Sequence, residues 1–287
     1  MGWVPVNKPA LHMQRIDSHQ HFWHYDATRH SWIDDSMVII RKDFLPANLQ
    51  PLLLQNNVAG CVAVQADETE AETDFLVLLA NENACIKGVV GWVELTAKNV
   101  SERLAHYKQF SSIKGFRYIL QGLDPSFMLQ QNFIDGIAAL QEFSFTYDLL
   151  IFPKHLPAAL QLVKKFPQQK FVIDHIAKPY IKAGLINDWK RDIKAIAEHD
   201  NVWCKISGMA TEADYQLWQP AHLTPYIDTV VQAFGTKRIM YGSDWPVCLV
   251  AASYQKIIQV VENYFADFTI TEQTDIFSNN ATAFYQL

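Results

Sequence analysis

The sequence predicts an α/β fold of the (β/α)8 TIM-type barrel class, and two patterns along the chain carry this prediction. Eight short β-rich runs alternate with helix-length amphipathic stretches, with no Gly/Ser linker or change of composition between them. Most of the runs are continuously hydrophobic, as is typical of parallel strands that are buried on both faces. An open doubly wound sheet is the alternative, but the loop after the first run lacks the glycine fingerprint of dinucleotide-binding folds.

The elements follow from the spacing of apolar residues. Strands are predicted over residues 15–17, 58–65, 86–94, 113–120, 145–152, 170–176, 202–207 and 238–242. Between them, apolar residues recur at spacings of three and four, which predicts helices over 49–56, 70–83, 127–142 and 156–165. Thr69 precedes an acidic first turn, and Pro157 and Pro220 lie near predicted helix starts.

Length and composition favour one domain. The length of 287 residues lies within the range of a single α/β barrel. The hydrophobic content of 49% excludes global disorder. We interpret residues 1–12 as an N-terminal extension and residues 13–287 as a single barrel domain.

Charge and cysteine content exclude several classes of function. The net charge is −6, and without a basic stripe we expect neither nucleic acid nor an anionic membrane as a partner. The longest apolar stretches have the length of strands, and the N-terminus does not read as a signal peptide. The four cysteines show no C-x-x-C spacing, so we expect a cytoplasmic protein.

Three histidines and one aspartate come at the ends of predicted strands, where the reaction centres of such barrels lie. His19 and His21 end the first strand two residues apart, so both side chains point into the barrel. His175 ends the sixth strand, and Asp244 directly follows the eighth. Imidazoles in this arrangement bind a divalent metal or hold a water and a carbonyl oxygen, and the carboxylate can deprotonate a water. We therefore predict a reaction centre around these four residues.

Each of these residues also has a structural interpretation. A His-x-His pair is a weak signal by itself, because imidazoles often make only structural hydrogen bonds. Asp244 could instead cap the helix that follows it. The prediction depends on finding the four side chains at the same end of strands one, six and eight.

Other side chains near the same end of the barrel are candidates for substrate binding. Arg117 can bind substrate oxygens, although a guanidinium inside a barrel requires a partner in any case. Lys178 is a comparable candidate after the sixth strand. The predicted substrate-binding residues are Arg117, Trp32, Gln65, Trp245 and Lys205.

From about residue 15 to the C-terminus, these residues in this order resemble the amidohydrolase superfamily. The most similar branch is that of the sugar lactonases, the L-fucono- and L-rhamnonolactonase-like hydrolases. The motifs that carry the resemblance are DSHQHFW at 17–23, WID at 32–34, RKDF at 41–44, GFR at 115–117, DHIAKP at 174–179, KISG at 205–208 and YGSDWP at 241–246.

The resemblance implies roles for the four residues. His19 and His21 match the family's first-strand histidine pair, and His175 matches its sixth-strand histidine. Asp244 matches its eighth-strand general base, so Asp244 and His175 are the implied catalytic residues. If a metal is bound, the implied ligands are His19, His21, His175 and Asp244.

Two departures from the wider superfamily bear on the cofactor. Members with two bridged metals use a carboxylated lysine that ends strand four and a histidine that ends strand five. Here Lys114 opens strand four, and His155 lies three residues beyond strand five. We therefore expect one divalent metal, zinc as the first choice, or none, and not a binuclear centre.

The expected reaction is hydrolysis of a sugar aldonolactone to the aldonic acid, with Asp244 as the general base. The chain has seven arginines, of which only Arg117 is on a strand facing the site and only Arg41 is a plausible second. A lactone of a dicarboxylate would require several, so a neutral lactone fits better. The alternatives are a lactonase of another substrate class, a metal-dependent decarboxylase on the same scaffold, and a non-catalytic sugar-acid binding protein. A monomer and a homo-oligomer both remain open.

Overall fold

Eight parallel strands form one sheet in the sequential order β1 to β8 in the computed structural model, which describes residues 14–287. The strands are β1 (Arg15–Gln20), β2 (Val58–Val64), β3 (Ile86–Gly91), β4 (Ile113–Ile119), β5 (Thr146–Leu150), β6 (Phe171–Ile173), β7 (Val202–Ile206) and β8 (Ile239–Tyr241). The predicted (β/α)8 barrel is therefore confirmed. An open doubly wound sheet would require a reversal of strand order, which is not observed. The predicted extension at residues 1–12 lies outside the described residues.

The barrel closes between β1 and the segment that follows β8. The backbone N–H of Asp244 donates to the carbonyl of His19 over 2.8 Å, and the N–H of His21 donates to the carbonyl of Trp245 over 2.7 Å. The Ser18 hydroxyl donates to the carbonyl of Tyr241 over 2.6 Å. The residues that complete the barrel thus include three of the four predicted reaction-centre residues.

Helices cover the outside of the barrel and occupy one end of it. They are α1 (Pro46–Gln55), α2 (Glu70–Glu82), α3 (Val100–Tyr107), α4 (Gln131–Glu142), α5 (Leu156–Lys165), α6 (Asn187–Ala197), α7 (Pro220–Phe234), α8 (Tyr254–Tyr264), α9 (Ile270–Thr274) and α10 (Asn280–Tyr285). Thr69 caps α2 by accepting from the N–H of Glu72, as the acidic first turn predicts. The predicted helix over 127–142 is interrupted, because a short 3-10 turn at Pro125–Leu129 precedes α4.

The lower part of the barrel interior is a packed core. Branched and long apolar side chains from five strands fill it, namely Ile16, Val62, Val64, Val90, Val172 and Met240. Phe284 and Tyr285 of α10 pack against this layer. Lys114, the second residue of β4, donates to the carbonyl of Gln286. Helix α10 therefore covers the amino ends of the strands, which leaves the carboxyl ends for a site. Among the described residues, no helix is long and apolar enough to cross a membrane.

Candidate active site

The structure brings His19, His21, His175 and Asp244 together at the carboxyl ends of the strands. Nε2 of His19 lies 3.2 Å from Nε2 of His21, and Oδ1 of Asp244 lies 3.4 Å from Nε2 of His21. The same carboxylate oxygen lies 3.8 Å from Nε2 of His175 and 3.9 Å from Nε2 of His19. All four residues are buried. Their side chains therefore converge on one point, and the Asp244 carboxylate faces imidazoles instead of capping a helix.

An irregular pairing of β1 with β2 sets the direction of the first two histidines. The register shifts between Asp17 and Gln20, and bulges of this kind redirect side chains next to active sites. The Asp17 carboxylate accepts from the N–H of Ser243 over 2.8 Å and from the hydroxyl of Tyr254 over 3.1 Å. Burial raises the pKa of Asp17 to about 6. Asp17 thus ties β1 to the loop that carries Asp244.

Hydrogen bonds to Nδ1 orient two of the imidazoles. Nδ1 of His21 lies 2.7 Å from the carbonyl oxygen of Val64, and this oxygen can only accept. Nδ1 of His21 therefore carries the proton, and its Nε2 presents a lone pair to the cluster. Nδ1 of His175 lies 2.9 Å from the Ser207 hydroxyl, a second partner of the type that orients metal-binding histidines.

A left-handed segment places His175. Four consecutive residues have positive φ: His175 at 52°, Ile176 at 50°, Ala177 at 60° and Lys178 at 46°. Left-handed geometry costs roughly 1–2 kcal/mol for each such residue, and strain of this kind concentrates at functional sites. This segment ends β6 at Ile173, three residues before the end of the predicted strand. The turn directs both His175 and Lys178 toward the site.

A buried network of four charges lies beneath the histidines. Lys205 donates to Asp148 over 2.6 Å and lies 2.9 Å from Asp174, and Arg117 donates to Asp174 over 3.0 Å. Asp174 also lies 3.2 Å from Nδ1 of His19. Three of these residues are fully buried and Arg117 almost so. The network supports His19 from below.

Sequence reasoning missed the two carboxylates of this network. Asp148 stands inside the apolar strand β5, and a charge there requires a partner of opposite sign. Lys205 stands likewise inside β7, so their opposite charges were a usable signal. Arg117, for which the sequence predicts a partner, pairs with Asp174.

Burial sets the charge state of the cluster. It lowers the pKa of His19, His21 and His175, so the three imidazoles are neutral at pH 7. For Asp244, burial raises the pKa, but His175 and His21 outweigh this effect and the net shift is downward. Neutral imidazoles beside an ionised carboxylate are the protonation states needed both for metal binding and for deprotonating a water.

A cavity of about 130 Å³ opens onto the cluster. Its walls include His21, Arg117, His175 and Asp244, with Trp32, Ala66, Ile119, Gln121, Leu150, Lys178 and Val247. Of the five predicted substrate-binding residues, Arg117 and Trp32 therefore line it.

The other three predicted substrate-binding residues do not line this cavity. The Gln65 side chain is buried and accepts from Arg117 over 2.9 Å. Trp245 is buried edge-on against Phe44. Lys205 is fully buried in the charge network because two carboxylates neutralise its ammonium there. These positions place the three residues in support of the site instead of on its wall.

His155 and Arg41 are likewise held away from the site. Nε2 of the buried His155 lies 3.1 Å from the carbonyl of Leu123, and its Nδ1 lies 3.2 Å from the N–H of Phe152. The Arg41 guanidinium donates to the carbonyl of Ile33. Both side chains hold loops together.

The donor atoms of the cluster fit a divalent metal ion. One nitrogen each from His19 and His21 and one oxygen of Asp244 lie within 4.8 Å of one another. Their separations of 3.2 to 3.9 Å resemble the roughly 3.3 Å edge expected for a tetrahedron of ligands about 2.0–2.1 Å from zinc. A second group combines His19, His175 and Asp174. In that group, however, Asp174 is already neutralised by Lys205 and Arg117.

Comparison with known proteins agrees with this site. Residues 16–287 match the family described as amidohydrolase. The L-fucono-1,5-lactonase of Burkholderia multivorans is 35% identical over 285 residues, which cover 95% of this chain and 96% of that protein. The L-fucono-1,5-lactonase of Burkholderia ambifaria is 34% identical over 84% of this chain and 83% of its own length.

A solved structure shows the same similarity in three dimensions. The crystal structure of an amidohydrolase from Burkholderia multivorans with bound zinc superimposes with a TM-score of 0.92 at 35% identity. The match covers 95% of this chain and 99% of that one. The resemblance predicted from the motifs is therefore confirmed, and the chain belongs to the amidohydrolase family.

Proposed function

We propose that this protein hydrolyses a neutral sugar lactone of the L-fucono- or L-rhamnono- type to the aldonic acid. The observation that carries the proposal is the Asp244 carboxylate, which lies 3.4 Å from Nε2 of His21 in a cavity that also exposes His175 and Arg117. Two relatives named L-fucono-1,5-lactonase, each at least 34% identical over most of the chain, support the choice of substrate.

In the proposed reaction, Asp244 accepts a proton from a water whose oxygen attacks the lactone carbonyl carbon. The negative charge that develops on the carbonyl oxygen is stabilised by the Arg117 guanidinium on the cavity wall. The ring C–O bond then breaks, and the ring oxygen takes the proton held by Asp244, either directly or relayed through His175, and leaves as an alcohol. Water has then been added across the ester bond, and the carboxylate is ready for the next cycle.

We propose one divalent ion, zinc, held by His19, His21, His175 and Asp244. When bound, such an ion polarises a carbonyl and lowers the pKa of a bound water. The buried charges favour one ion over two. Asp148 and Asp174 pair with the two cations Arg117 and Lys205, and Asp244, whose carboxylate lies beside the neutral histidines, adds one net negative charge for a divalent ion to neutralise.

The charges on the cavity wall favour a neutral substrate. Its cationic side chains are Arg117 and Lys178, and Arg117 already pairs with Asp174. A dicarboxylate would require bidentate arginine partners that this wall does not provide. A hydroxyl-rich ring without carboxylates fits the wall better.

A panel of five- and six-carbon lactones tests the proposal, with acid release followed near pH 8. Hydrolysis of at least one aldonolactone is expected, together with loss of activity in chelator and recovery with zinc. Asp244→Asn should lower kcat by about 10²–10⁴-fold with an unchanged circular dichroism spectrum, because a general base is lost. No hydrolysis of any lactone, or carbon dioxide release from an aromatic acid instead, would overturn the proposal.

A further inference from the structure

Two polar side chains on the cavity wall have unused hydrogen-bonding capacity. Gln121 lies in the turn directly after β4, and its Oε1 is buried with no hydrogen-bond partner among residues 14–287. Buried polar atoms are nearly always paired, so an unpaired acceptor on a cavity wall points to a ligand that supplies the donor.

Lys178 presents the complementary group. The left-handed segment directs its side chain to the same cavity, and its exposed fraction is only 20%. The nearest carboxylate oxygen, that of Glu212, lies 3.7 Å from Nζ, which is longer than a hydrogen bond. The ammonium is therefore held in place by charge, and its N–H donors make no hydrogen bond to residues 14–287, which leaves them for a ligand.

The rest of the wall suits the carbon skeleton of a sugar ring. Ile119, Leu150 and Val247 line the cavity with apolar surface, and the Trp32 ring lies at its opening, 39% exposed. A ligand that fits this wall carries both C–H surface and oxygens that donate to Gln121 and accept from Lys178. Hydroxyl groups do both.

We infer that Gln121 and Lys178 are specificity-determining residues that bind the ring hydroxyls of the lactone. This inference rests on the proposed function and names the side chains that distinguish a sugar lactone from a plain one. Sites built to bond a substrate hydroxyl reject analogues without it, because the polar groups of the protein are then left unpaired.

The test compares kcat/KM for a six-carbon aldono-1,5-lactone with kcat/KM for δ-valerolactone, which has the same ring without hydroxyls. Gln121→Leu and Lys178→Met should each lower the ratio of the two values by about 10–100-fold, mainly through KM for the sugar lactone. Lys182→Met is the matched control: its exposed ammonium pairs with Asp214 instead. Glu212→Gln separates ligand binding by Lys178 from the ion pair itself and should shift the ratio less than Lys178→Met does.

The outcomes separate the inference from the proposed function. Wild-type protein that hydrolyses no lactone overturns both. The inference alone is overturned if the wild type hydrolyses the lactones but the ratio of the two kcat/KM values stays within threefold of the wild-type ratio in both variants. An equal loss of kcat/KM for both substrates is such a result, because it leaves the ratio unchanged. Gln121→Met and Lys178→Gln replace any first variant whose melting curve shows that it is unfolded.

Discussion

Replacing Lys205 by methionine would remove the centre of the buried charge network. The ammonium lies 2.6 Å from Asp148 and 2.9 Å from Asp174, and all three side chains have no exposed surface. Methionine keeps the length of the side chain but not its charge. After the change, Asp174 still pairs with Arg117, whereas Asp148 keeps, among the described residues, only the hydroxyl of Tyr285, which donates over 2.7 Å.

The expected loss of stability follows from the charge of Asp148, which no longer has a cationic partner. Removing one partner of a buried ion pair costs about 3–5 kcal/mol, because the remaining charge is left without compensation in the interior. For a domain of 287 residues, whose unfolding entropy is about 0.6 kcal/mol/K, a loss of 3–5 kcal/mol lowers Tm by roughly 5–8 °C. Burial already raises the pKa of Asp148 to about 6 with Lys205 present. Without Lys205 this carboxyl should take up a proton more readily, so the loss of stability relative to wild type should become smaller as the pH falls toward 5.

Urea unfolding and thermal melts of purified Lys205→Met measure this loss at pH 8 and pH 5. The double variant Lys205→Met/Asp148→Asn should recover part of the stability, because it removes the uncompensated charge. Lys182→Met is the exposed control, since exposed pairs contribute about 1 kcal/mol or less. A loss below about 1 kcal/mol in Lys205→Met, or a double variant that loses the sum of both single losses, would refute the reasoning.

Three further predictions test the site, its pH response and its metal. Gly208→Ala should lower kcat at least tenfold, because its Cβ would lie 2.5 Å from Nδ1 of His175. Gly235 has a similar φ, but a Cβ there would have no atom of the described residues within 4 Å, so Gly235→Ala should show only a loss of stability. Equal kcat values in the two variants would contradict the prediction. Burial raises the pKa of Glu72 from 4.5 to about 7, so its contribution to stability is present below pH 4.5 and lost by pH 7. Urea unfolding should therefore show Glu72→Gln gaining about 2–3 kcal/mol relative to wild type between pH 4.5 and pH 8; a difference independent of pH would contradict this. Zinc at a hundredfold excess over Kd should stabilise chelator-treated protein by about 2.7 kcal/mol in melting experiments, and an equal gain in His21→Ala would argue against the proposed ligands.

Much of the fold was predictable because strands that are buried on both faces have a continuously hydrophobic local sequence. Helix α5 occupies the predicted range of 156–165, and each predicted strand overlaps an observed one. The exact ends of the strands were less predictable. The sixth strand stops at Ile173 because of a left-handed turn, which follows from packing around His175 and not from the local preference of non-glycine residues.

The sequence by itself determined the barrel and the ends of the strands on which His19, His21, His175 and Asp244 stand. The rule that carboxyl ends of parallel strands converge was enough to group these residues. Only the tertiary structure decided which neighbouring polar residues face the cavity. It turned Gln121 and Lys178 toward the cavity and buried Lys205 between two carboxylates, one from β5 and one from the turn after β6. The physical reason is that a buried charge is stabilised by partners distant in sequence, and the order of residues along the chain does not show which of these partners come into contact.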